Sequence, residues 1–484
     1  MTQYTYDSLG HLTSFTDANG NTTAYTYDSL SGVTQITYPD ATVETFSYDS
    51  IGNLVQRTDS NGITFFIYNA VYQLIETVYP DSTATTFNHD ANGNRTLIVD
   101  SAGETTYTYD NRNRVLSKTR TIEGESYTVT YMYDAVSNLV SMTYPDQSVI
   151  TYEYDPLNRL TAISGYAQFF YNSHSFLSNT VYANGVTADY QYDNRDRPVS
   201  IHAAKEGTDL LLMGYQYDPV GNITQLEYDR IKDGQWEQSL ENFSYDWLDR
   251  LVSVQGSSGS SSYSYDPTGN RITLNDLTYT YNNMNELTSI SDGTVFTYDD
   301  MGNTISKSSN TDIWSYAYNT KNQLVQVEKD QELRAEYNYD WNDRRIKKTE
   351  WIEDLQEYHT KIYVYDGLRV LYGKNLNTGQ EATYMYGSSG RIAKKVSGLI
   401  DYYHTDHLGS TRLVTDEQGN VVSEVQYKAF GKTDEEEEDY LFTGKERDSS
   451  GLYYYGARYY DPEIGRFISR DPRFEPRSVC FGLT

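Results

Sequence analysis

The chain of 484 residues carries a formal net charge of −30 and has a mean hydropathy of −0.68. This acidity argues against a nucleic-acid partner and against an anionic membrane surface, because both are bound by clustered Lys and Arg. The sequence contains no apolar run of about 18 residues, so we predict no membrane-spanning helix. The single cysteine, Cys480, excludes an internal disulfide framework.

The N-terminus, Met1 to Asp7, reads MTQYTYD and enters a repeated motif at once. It contains neither the basic region nor the apolar segment of a secretory signal peptide. We therefore expect either export by another route or a chain that is part of a longer one.

The motif Tyr-x-Tyr-Asp recurs through most of the sequence. Repeats about 20 residues long form solenoids or similar arrays, because one unit is too small to bury its own apolar face. Aligned on the second aromatic position, we count eighteen copies, at Tyr6, Tyr27, Tyr48, Tyr68, His89, Tyr109, Tyr133, Tyr154, Tyr171, Tyr192, Tyr217, Tyr245, Tyr265, Tyr281, Tyr298, Tyr318, Tyr339 and Tyr365.

Each unit reads as two short antiparallel strands and two turns. The two tyrosines share one face of a strand, and the Asp accepts backbone N–H groups at the start of a turn. Three residues after this Asp stands Gly, Asn or Asp in most copies, the residues that best tolerate left-handed backbone angles. Ser31, Tyr72, Ser137, Ser175 and Arg369 depart from this rule. A second turn follows, with pairs such as Asn19-Gly20 or Pro39-Asp40.

The chain has 50 tyrosines against 15 phenylalanines. A Tyr ring buries a large area while its hydroxyl needs a polar partner. We expect pairs such as Tyr152/Tyr154 and Tyr215/Tyr217 to face a concave side and to stack with neighbouring copies. For a single tyrosine, packing is a far more common role than ligand binding.

Beyond the last copy, a few residues have side chains that could carry chemistry. His404 and His407 could hold a metal ion, but two ligands do not complete a site, so we predict a packing role and no metal or cofactor. Ser410 lacks a nucleophile elbow. The acidic run from Asp434 to Asp439 predicts a solvated loop, with Ca²⁺ binding as the alternative. Cys480 is predicted to be an exposed thiol without a base.

The repeats resemble the YD repeats of the Rhs and toxin-complex C families and of teneurins. The segments DYYHTDHLGSTRLVTDEQGNVVSEVQYKAFGK, from Asp401, and FTGKERDSSGLYYYGARYYDPEIGRFISRDP, from Phe442, resemble the bacterial Rhs repeat-associated core. This resemblance implies an all-β fold, in which a strip of antiparallel hairpins spirals into a hollow shell that encloses a C-terminal toxin. The core closes one end of the shell.

In many family members the core is also an aspartyl autoprotease that severs the cargo. The resemblance places Arg470 and Asp471, in Arg470-Asp471-Pro472, at the first part of this catalytic signature. The second Asp-Pro is not found here, and Glu475 is the only acid after Pro472. Aspartyl chemistry needs two carboxyls that share a proton. We therefore expect no autoproteolysis, and we do not predict an enzyme.

The resulting hypothesis is an encapsulation scaffold without its toxin. It divides the chain into a YD-repeat wall (1–383), an Rhs core plug (384–472) and a short atypical tail (473–484). The expected partners are an enclosed polypeptide or a partner shell chain, outside the producing cell or on its surface. The alternative is a secreted or surface module that binds glycans or a receptor through its outer face. Burial of the motif tyrosines distinguishes the two.

Overall fold

The structure is a computed structural model that describes residues 1–232, 235–257, 259–434 and 438–471. Regular secondary structure in these ranges is β-strand, apart from one 3-10 turn at Phe442–Gly444, and the predicted all-β class is confirmed. Strands alternate with turns along the whole chain because each unit carries β-branched and aromatic residues between turn-forming residues.

The strands are as follows. The first group is β1 Gln3–Tyr6, β2 Leu12–Thr16, β3 Thr22–Tyr27, β4 Val33–Thr37, β5 Val43–Tyr48, β6 Leu54–Asp59, β7 Gly62–Tyr68, β8 Leu74–Val78, β9 Ala84–His89, β10 Arg95–Asp100, β11 Gly103–Tyr109, β12 Val115–Ile122, β13 Glu125–Tyr133, β14 Leu139–Thr143, β15 Val149–Tyr154 and β16 Leu160–Ile163. The second group is β17 Ala167–Tyr171, β18 Leu177–Tyr182, β19 Val186–Tyr192, β20 Pro198–Lys205, β21 Thr208–Tyr217, β22 Ile223–Lys232, β23 Gln235–Glu237, β24 Leu240–Tyr245, β25 Leu251–Gly256, β26 Gly259–Tyr265, β27 Arg271–Leu274, β28 Leu277–Tyr281, β29 Leu287–Ile290, β30 Val295–Tyr298 and β31 Thr304–Ser308. The third group is β32 Ile313–Tyr318, β33 Leu324–Lys329, β34 Glu332–Tyr339, β35 Arg345–Ile352, β36 Glu357–Asp366, β37 Arg369–Asn375, β38 Glu381–Gly387, β39 Gly390–Val396, β40 Leu399–Thr405, β41 Thr411–Thr415, β42 Val421–Glu424, β43 Glu446–Arg447, β44 Tyr453–Tyr454, β45 Tyr459–Asp461 and β46 Arg466–Phe467.

Strands β1 to β42 form one continuous strip, which we call the wall. Each strand pairs antiparallel with the next one in sequence, except that β22 pairs with both β23 and β24. Strands β43 to β46 form a separate four-stranded sheet, the core sheet. Because β38 lies in the wall and spans residue 384, backbone pairing is continuous between the two predicted regions of the chain.

The YD turns have the predicted geometry. In the copy at Asp155, Oδ1 accepts the N–H groups of Leu157 and Arg159 at 2.9 and 3.0 Å, and Asn158 has a φ of 59°. This φ is positive at the corresponding position of every copy except that of Arg369, including the four other departures from the residue rule. The extra turn residue shifts the register at the second tyrosine, between Glu153 and Tyr154 in this copy, as a β-bulge does.

Acid is expected to unfold the wall through these aspartates. Backbone and then side-chain hydrogen bonds from Arg159 hold the pKa of Asp155 below its usual value, although desolvation acts in the opposite direction. Most of the other YD-turn aspartates also have lowered pKa values. A lowered folded-state pKa stabilises the fold above the unfolded value, about 3.9, and this contribution is lost as pH falls through the folded value. The melting temperature should be flat near pH 5–6 and should fall steeply below about pH 4. A flat profile down to about pH 2 would contradict this role of the turns.

The strip coils on itself, so that residues more than 200 positions apart meet. Asn19 Nδ2 donates to Asp266 Oδ2 at 2.8 Å across 247 residues, and the Tyr144 hydroxyl donates to the Tyr384 carbonyl at 3.0 Å across 240 residues. Similar hydrogen bonds join Asn61 to Asn322, Thr320 to Asp81, Lys118 to Tyr365, Tyr182 to Tyr403 and Asn184 to Thr415. We call β1 to β25 the first winding, β26 to β42 the second winding, and their contact the seam.

Antiparallel pairing places all YD turns at one edge of the strip and all second turns at the other. We name these the YD-turn edge and the return-turn edge. Over most of the seam, the return-turn edge of the first winding meets the YD-turn edge of the second. Thus Asn19, Asn61 and Asp81 lie in return turns, whereas Asp266, Thr320 and Asn322 lie in YD turns. Near β42, the return turn of Asn184 instead contacts Thr415 and Asp416, where β41 enters its own return turn.

The seam contains a buried lysine, and we expect it to make stability depend on pH. Lys118 is 7% exposed, and its Nζ donates to the Tyr365 carbonyl at 2.8 Å. Burial, with a smaller contribution from Arg344, lowers the pKa of Lys118 to about 7, although Asp340 and Asp366 favour the charged form. The folded state therefore binds fewer protons than the unfolded state between about pH 7 and 10.4, so stability should rise with pH there.

Comparison with the Lys118→Met variant isolates the titration of Lys118. The variant also loses the hydrogen bond to the Tyr365 carbonyl, but this loss changes the free energy of unfolding by the same amount at every pH. The wild type should gain free energy of unfolding relative to the variant by up to about 1.4 kcal/mol per pH unit above pH 7. The measurement is urea unfolding of both proteins at several pH values between about 6 and 10. Two parallel curves would show that Lys118 does not titrate in the seam.

Candidate functional site

The two aromatic residues of the motif point to the same side of the wall. In the copy at Tyr215, that residue and Tyr217 are buried or half-buried, whereas Gln216 between them is exposed. The core sheet packs on this side: Tyr339 and Tyr459 hydroxyls lie 2.9 Å apart. We therefore call it the inner face.

The hydroxyl of the second motif tyrosine donates to the backbone of the preceding hairpin. The Tyr154 hydroxyl, for example, donates to the Leu139 carbonyl at 3.0 Å. The same bond, with lengths from 2.5 to 3.1 Å, is made by Tyr27, Tyr48, Tyr68, Tyr109, Tyr171, Tyr192, Tyr217, Tyr245, Tyr265, Tyr281, Tyr298, Tyr339 and Tyr365. Tyrosine therefore contributes in two ways at this position. Its ring packs on the inner face, and its hydroxyl donates a hydrogen bond to a backbone carbonyl where two hairpins meet.

The sequence interpretation missed the residue four after each turn aspartate. This residue is often Asn or Arg, and it links consecutive turns. Asn138 Nδ2 donates to Asp134 Oδ2 at 2.9 Å and to Asn158 Oδ1 of the next turn at 3.0 Å. Where it is Arg, as at Arg159, the guanidinium also lies over the next motif ring, 4.7 Å from the centre of Tyr171. The recurrence of Asn or Arg at a fixed distance from the Asp was the available signal.

The core sheet is fixed to the inner face of the second winding by a buried cluster of charges, the ionic node. Arg345 of β35 is fully buried and contacts Asp448, and its Nη2 lies 2.7 Å from Glu446 Oε2. Lys348 lies 2.9 Å from Glu446 and 3.0 Å from Asp448. Tyr363 donates to Glu446 at 2.6 Å. The wall supplies the cations and one carboxylate, Glu350, which lies 2.7 Å from Lys348, and the core supplies the carboxylates of Glu446 and Asp448.

The node is held in its charged form. Burial alone raises the pKa of Glu446, but Lys348 and then Arg345 outweigh it and bring this pKa well below its usual range. Burial likewise opposes the charge of Lys348, but Asp448, Glu350 and Glu446 raise its pKa well above the ordinary value. Since Lys348 and Glu446 both remain ionised near neutral pH, the node attracts the core to the wall electrostatically.

A cavity of about 890 Å³ lies beside the node, between wall and core. Its lining is largely charged, and its cations are paired: Lys307 contacts Asp461 at 2.9 Å and Glu463 at 3.0 Å, and Lys361 contacts Asp439 at 3.1 Å. Within the four described ranges, no group of three or more His, Cys, Asp and Glu side chains is arranged to hold a metal ion. The cavity is therefore a polar gap that ion pairs bridge.

The two histidines have packing positions in the wall. Burial lowers the pKa of His404 to about 3, so its ring is neutral, and Nε2 lies 2.9 Å from Thr415 Oγ1. The edge of the His407 ring packs against Tyr215, with ring centres 4.8 Å apart. Ser410 is fully buried, and its Oγ accepts the Thr443 N–H at 3.1 Å.

The prediction of a solvated acidic loop is wrong at Glu438. Glu438 is buried and accepts the Tyr403 hydroxyl at 3.0 Å, and Asp439 pairs with Lys361. These two carboxylates contact a hydroxyl and an ammonium group of the wall. They therefore hold the segment that leads into the core sheet against the wall. Residues 435–437 of the run lie outside the described residues.

The residues that the resemblance marked as catalytic lie at the end of the core segment. Arg470 Nη2 is 3.0 Å from Glu286 Oε1, and its guanidinium lies 5.3 Å from the centre of the Tyr38 ring. Asp471 Oδ2 lies 3.1 Å from Arg458 Nη2. Arg470 therefore contacts both windings, at a YD turn of the second and a return turn of the first. Cys480 lies outside the described residues.

Sequence analysis did not single out Arg345, Lys348, Glu446 or Asp448. The two basic residues lie in Arg345-Ile-Lys-Lys348, an ordinary charged strand by sequence, and their acidic partners follow about 100 positions later. The sequence did contain one indication. Arg345 is the first residue of the strand after its YD turn, a position that carries an apolar side chain in other units, such as Leu160 and Leu324.

A sequence model of the family described as teneurin YD-shell matches residues 1–164 and 166–478. The chain is 30% identical over 329 residues to the tRNA nuclease WapA of Bacillus subtilis (strain 168), a match that covers 63% of this chain and 13% of WapA. It is 24% identical over 376 residues to toxin subunit YenC1 of Yersinia entomophaga, covering 60% of this chain and 38% of YenC1.

The fold superposes on the crystal structure of TcdB2-TccC3 with a TM-score of 0.84 at 19% identity, over 97% of this chain and 29% of that chain. It also superposes on the Photorhabdus luminescens Tc holotoxin pore, with a TM-score of 0.83 at 20% identity, over 98% of this chain and 28% of that chain. At these identities the likeness establishes the fold. The chain spans between 13 and 38% of the length of these relatives.

Proposed function

We propose, since this chain belongs to the teneurin YD-shell family, that it forms part of the wall of a shell that encloses a polypeptide. The observation that carries the proposal is the inner face: a spiral strip lines one side with tyrosines, and the chain's own C-terminal segment is locked there by the ionic node. A wall that binds its own chain end inside can hold whatever polypeptide follows that end.

The names of the relatives support a place in a toxin system. They include a tRNA nuclease, a double-stranded DNA deaminase toxin and a toxin subunit. Because this chain spans a small part of those proteins, we assign it the enclosing role and not their activities. Delivery outside the producing cell follows from that role. No helix among the described residues is long and apolar enough to cross a membrane.

The alternative role, a module that binds glycans or a receptor, would use exposed aromatic side chains. The motif tyrosines instead direct their hydroxyls to backbone carbonyls and their rings to the inner face. This burial favours the wall. The partner of the inner face is then a cargo polypeptide or a second shell chain, and the functional division into wall, core and tail remains a prediction.

Protease protection tests the enclosing role. An unstructured reporter peptide is added after Thr484 in one protein and before Met1 in another. Because the core sheet that precedes Arg470 packs on the inner face, the C-terminal reporter should be cut by a non-specific protease at least about tenfold more slowly, the ratio that 1.4 kcal/mol of protection represents. Equal cutting rates in the two folded proteins would reject enclosure.

We further predict that Asp471 does not cut the chain. Its carboxylate is paired with a guanidinium, which is not the carboxylate–carboxylic acid pair that aspartyl chemistry uses. During incubation across about pH 4–8, the range in which a carboxyl pair would share one proton, the mass of the purified chain should stay constant. A fragment that ends near Pro472 and disappears in Asp471→Asn would show that a second carboxyl completes the site.

A further inference from the structure

The YD-turn edge of the first winding carries a row of exposed apolar side chains, which we call the rim. They stand one or two residues after the turn aspartate, where the chain is most exposed to solvent. Their exposed fractions lie between 65 and 86% for Leu9, Leu30, Val136, Leu157, Val220 and Trp247. Clustered exposed apolar residues mark interaction surfaces in soluble proteins; turns with a polar residue at the same position, such as Arg112 and His174, divide the rim into shorter stretches.

The seam shows what such an edge binds. In the second winding, residues one or two positions after the Asp or Asn that opens the YD turn contact the first winding, at its return turns and on strand β9. Lys321 Nζ lies 3.8 Å from the centre of the Tyr79 ring, and Asn283 Nδ2 donates to the Pro39 carbonyl at 2.9 Å. The Trp341 ring packs edge-on against Phe87, with centres 6.0 Å apart. The rim consists of the same kind of YD turn, but no other part of the described chain packs against its apolar side chains in this way.

Between β35 and β40, the return-turn edge of the second winding is the complementary surface, and it is exposed as well. Leu355, Leu376 and Leu399 lie in or beside return turns there and are 56, 40 and 68% exposed. One molecule therefore exposes, on separate edges, the two kinds of surface that it joins internally at the seam.

We propose that a second copy of this chain stacks head to tail on the first, with the return-turn edge of its second winding on the rim. The contact would repeat the seam between molecules and continue the spiral. Such an interface is heterologous, because it joins two different edges, so it can add further copies without closing. This inference rests on the fold and does not depend on an enclosed cargo.

The charge of the chain sets a condition on this association. Each copy carries a formal charge of −30, and like charges oppose stacking over distances up to the Debye length, about 10 Å at 0.1 M salt. Association should therefore strengthen as salt concentration rises from about 0.01 to 0.15 M.

Sedimentation velocity tests the proposal with the purified 484-residue chain between about 1 μM and 1 mM, a range that covers weak to moderate affinities. The wild type should shift with concentration from 55.5 kDa to species of two or more chains. The rim variant Leu30→Asn/Leu157→Asn/Val220→Asn and the edge variant Leu355→Asn/Leu399→Asn should each remain monomeric. A matched control, Ile67→Asn/Met132→Asn/Phe170→Asn, replaces exposed apolar residues on the outer face and should associate like the wild type.

A mixture of the two monomeric variants gives the sharpest result. Each variant keeps one intact surface, so a head-to-tail contact should form a species of two chains and nothing larger. Two outcomes would overturn the proposal: a wild type that stays monomeric over the whole range at 0.15 M salt, about physiological ionic strength, or a rim variant that still associates. A rim-to-rim contact would instead leave the edge variant associating by itself.

Discussion

The substitution Arg345→Met is expected to reduce the free energy of unfolding by about 3–5 kcal/mol, because it leaves the buried carboxylates of Glu446 and Asp448 short of a partner. Lys348 remains, but one cation cannot balance both carboxylates in a buried site. Urea unfolding measures the loss. Limited proteolysis should release the core sheet earlier in the variant than in the wild type, because the wall loses its main electrostatic contact with the core.

Arg334→Met is the matched control. Arg334 lies one strand away on β34, and its partners Glu332 and Glu353 are largely exposed, so its ion pairs should contribute less than about 1 kcal/mol. A double variant, Arg345→Met/Asp448→Asn, should lose less than the sum of its single variants, because it removes one unpaired charge. Equal effects of Arg345→Met and Arg334→Met would show that the node does not hold the core.

The substitution Tyr339→Ala is expected to cost a similar amount, about 3–5 kcal/mol, as for other large aromatic truncations in a core. Its ring is buried where the wall meets the core, and its hydroxyl lies 2.5 Å from the Leu324 carbonyl and 2.9 Å from the Tyr459 hydroxyl. Tyr339→Phe keeps the ring and should cost about 1–3 kcal/mol, since it leaves buried polar groups unpaired. Chemical denaturation of the three proteins separates the two contributions.

Tyr6→Ala provides the control at the same motif position. Tyr6 is 61% exposed, and exposed substitutions usually change stability by no more than about 0.5 kcal/mol. Similar losses at Tyr6 and Tyr339 would mean that the motif acts within a single hairpin and that packing between hairpins and core contributes little.

The repeat could be predicted from sequence because its causes are local. A Tyr-x-Tyr pair, a turn Asp and a residue that tolerates positive φ are all within eight positions, and the backbone needs no distant partner to form such a hairpin. The turn geometry therefore follows even at Ser31 and Tyr72, where the residue rule fails but the Asp or Asn that opens the turn is kept. Arg369 is different because Gly367 takes the positive φ in that copy.

The wall extends beyond the last full copy of the motif, at Tyr365. Hairpins continue to β42, although the motif is degraded there: the Tyr386 hydroxyl still donates to the Val370 carbonyl at 2.9 Å, and the Tyr427 hydroxyl donates to the Thr411 carbonyl at 2.8 Å. The hydroxyl-to-carbonyl bond persists without the full Tyr-x-Tyr-Asp letters, because strand pairing and a nearby carbonyl are enough to maintain it.

The sequence by itself determined the hairpin, its turns, the single inner face of tyrosines and the all-β class. Only the tertiary structure decided which edges of the strip meet, and which charges pair across it. Asn19 pairs with Asp266 across 247 residues, and Arg345 pairs with Asp448 across 103 residues. Each of these side chains is unremarkable within its own unit. Their pairing depends on how far the strip twists per hairpin, which is the sum of many small backbone rotations, and no short stretch of sequence encodes that sum.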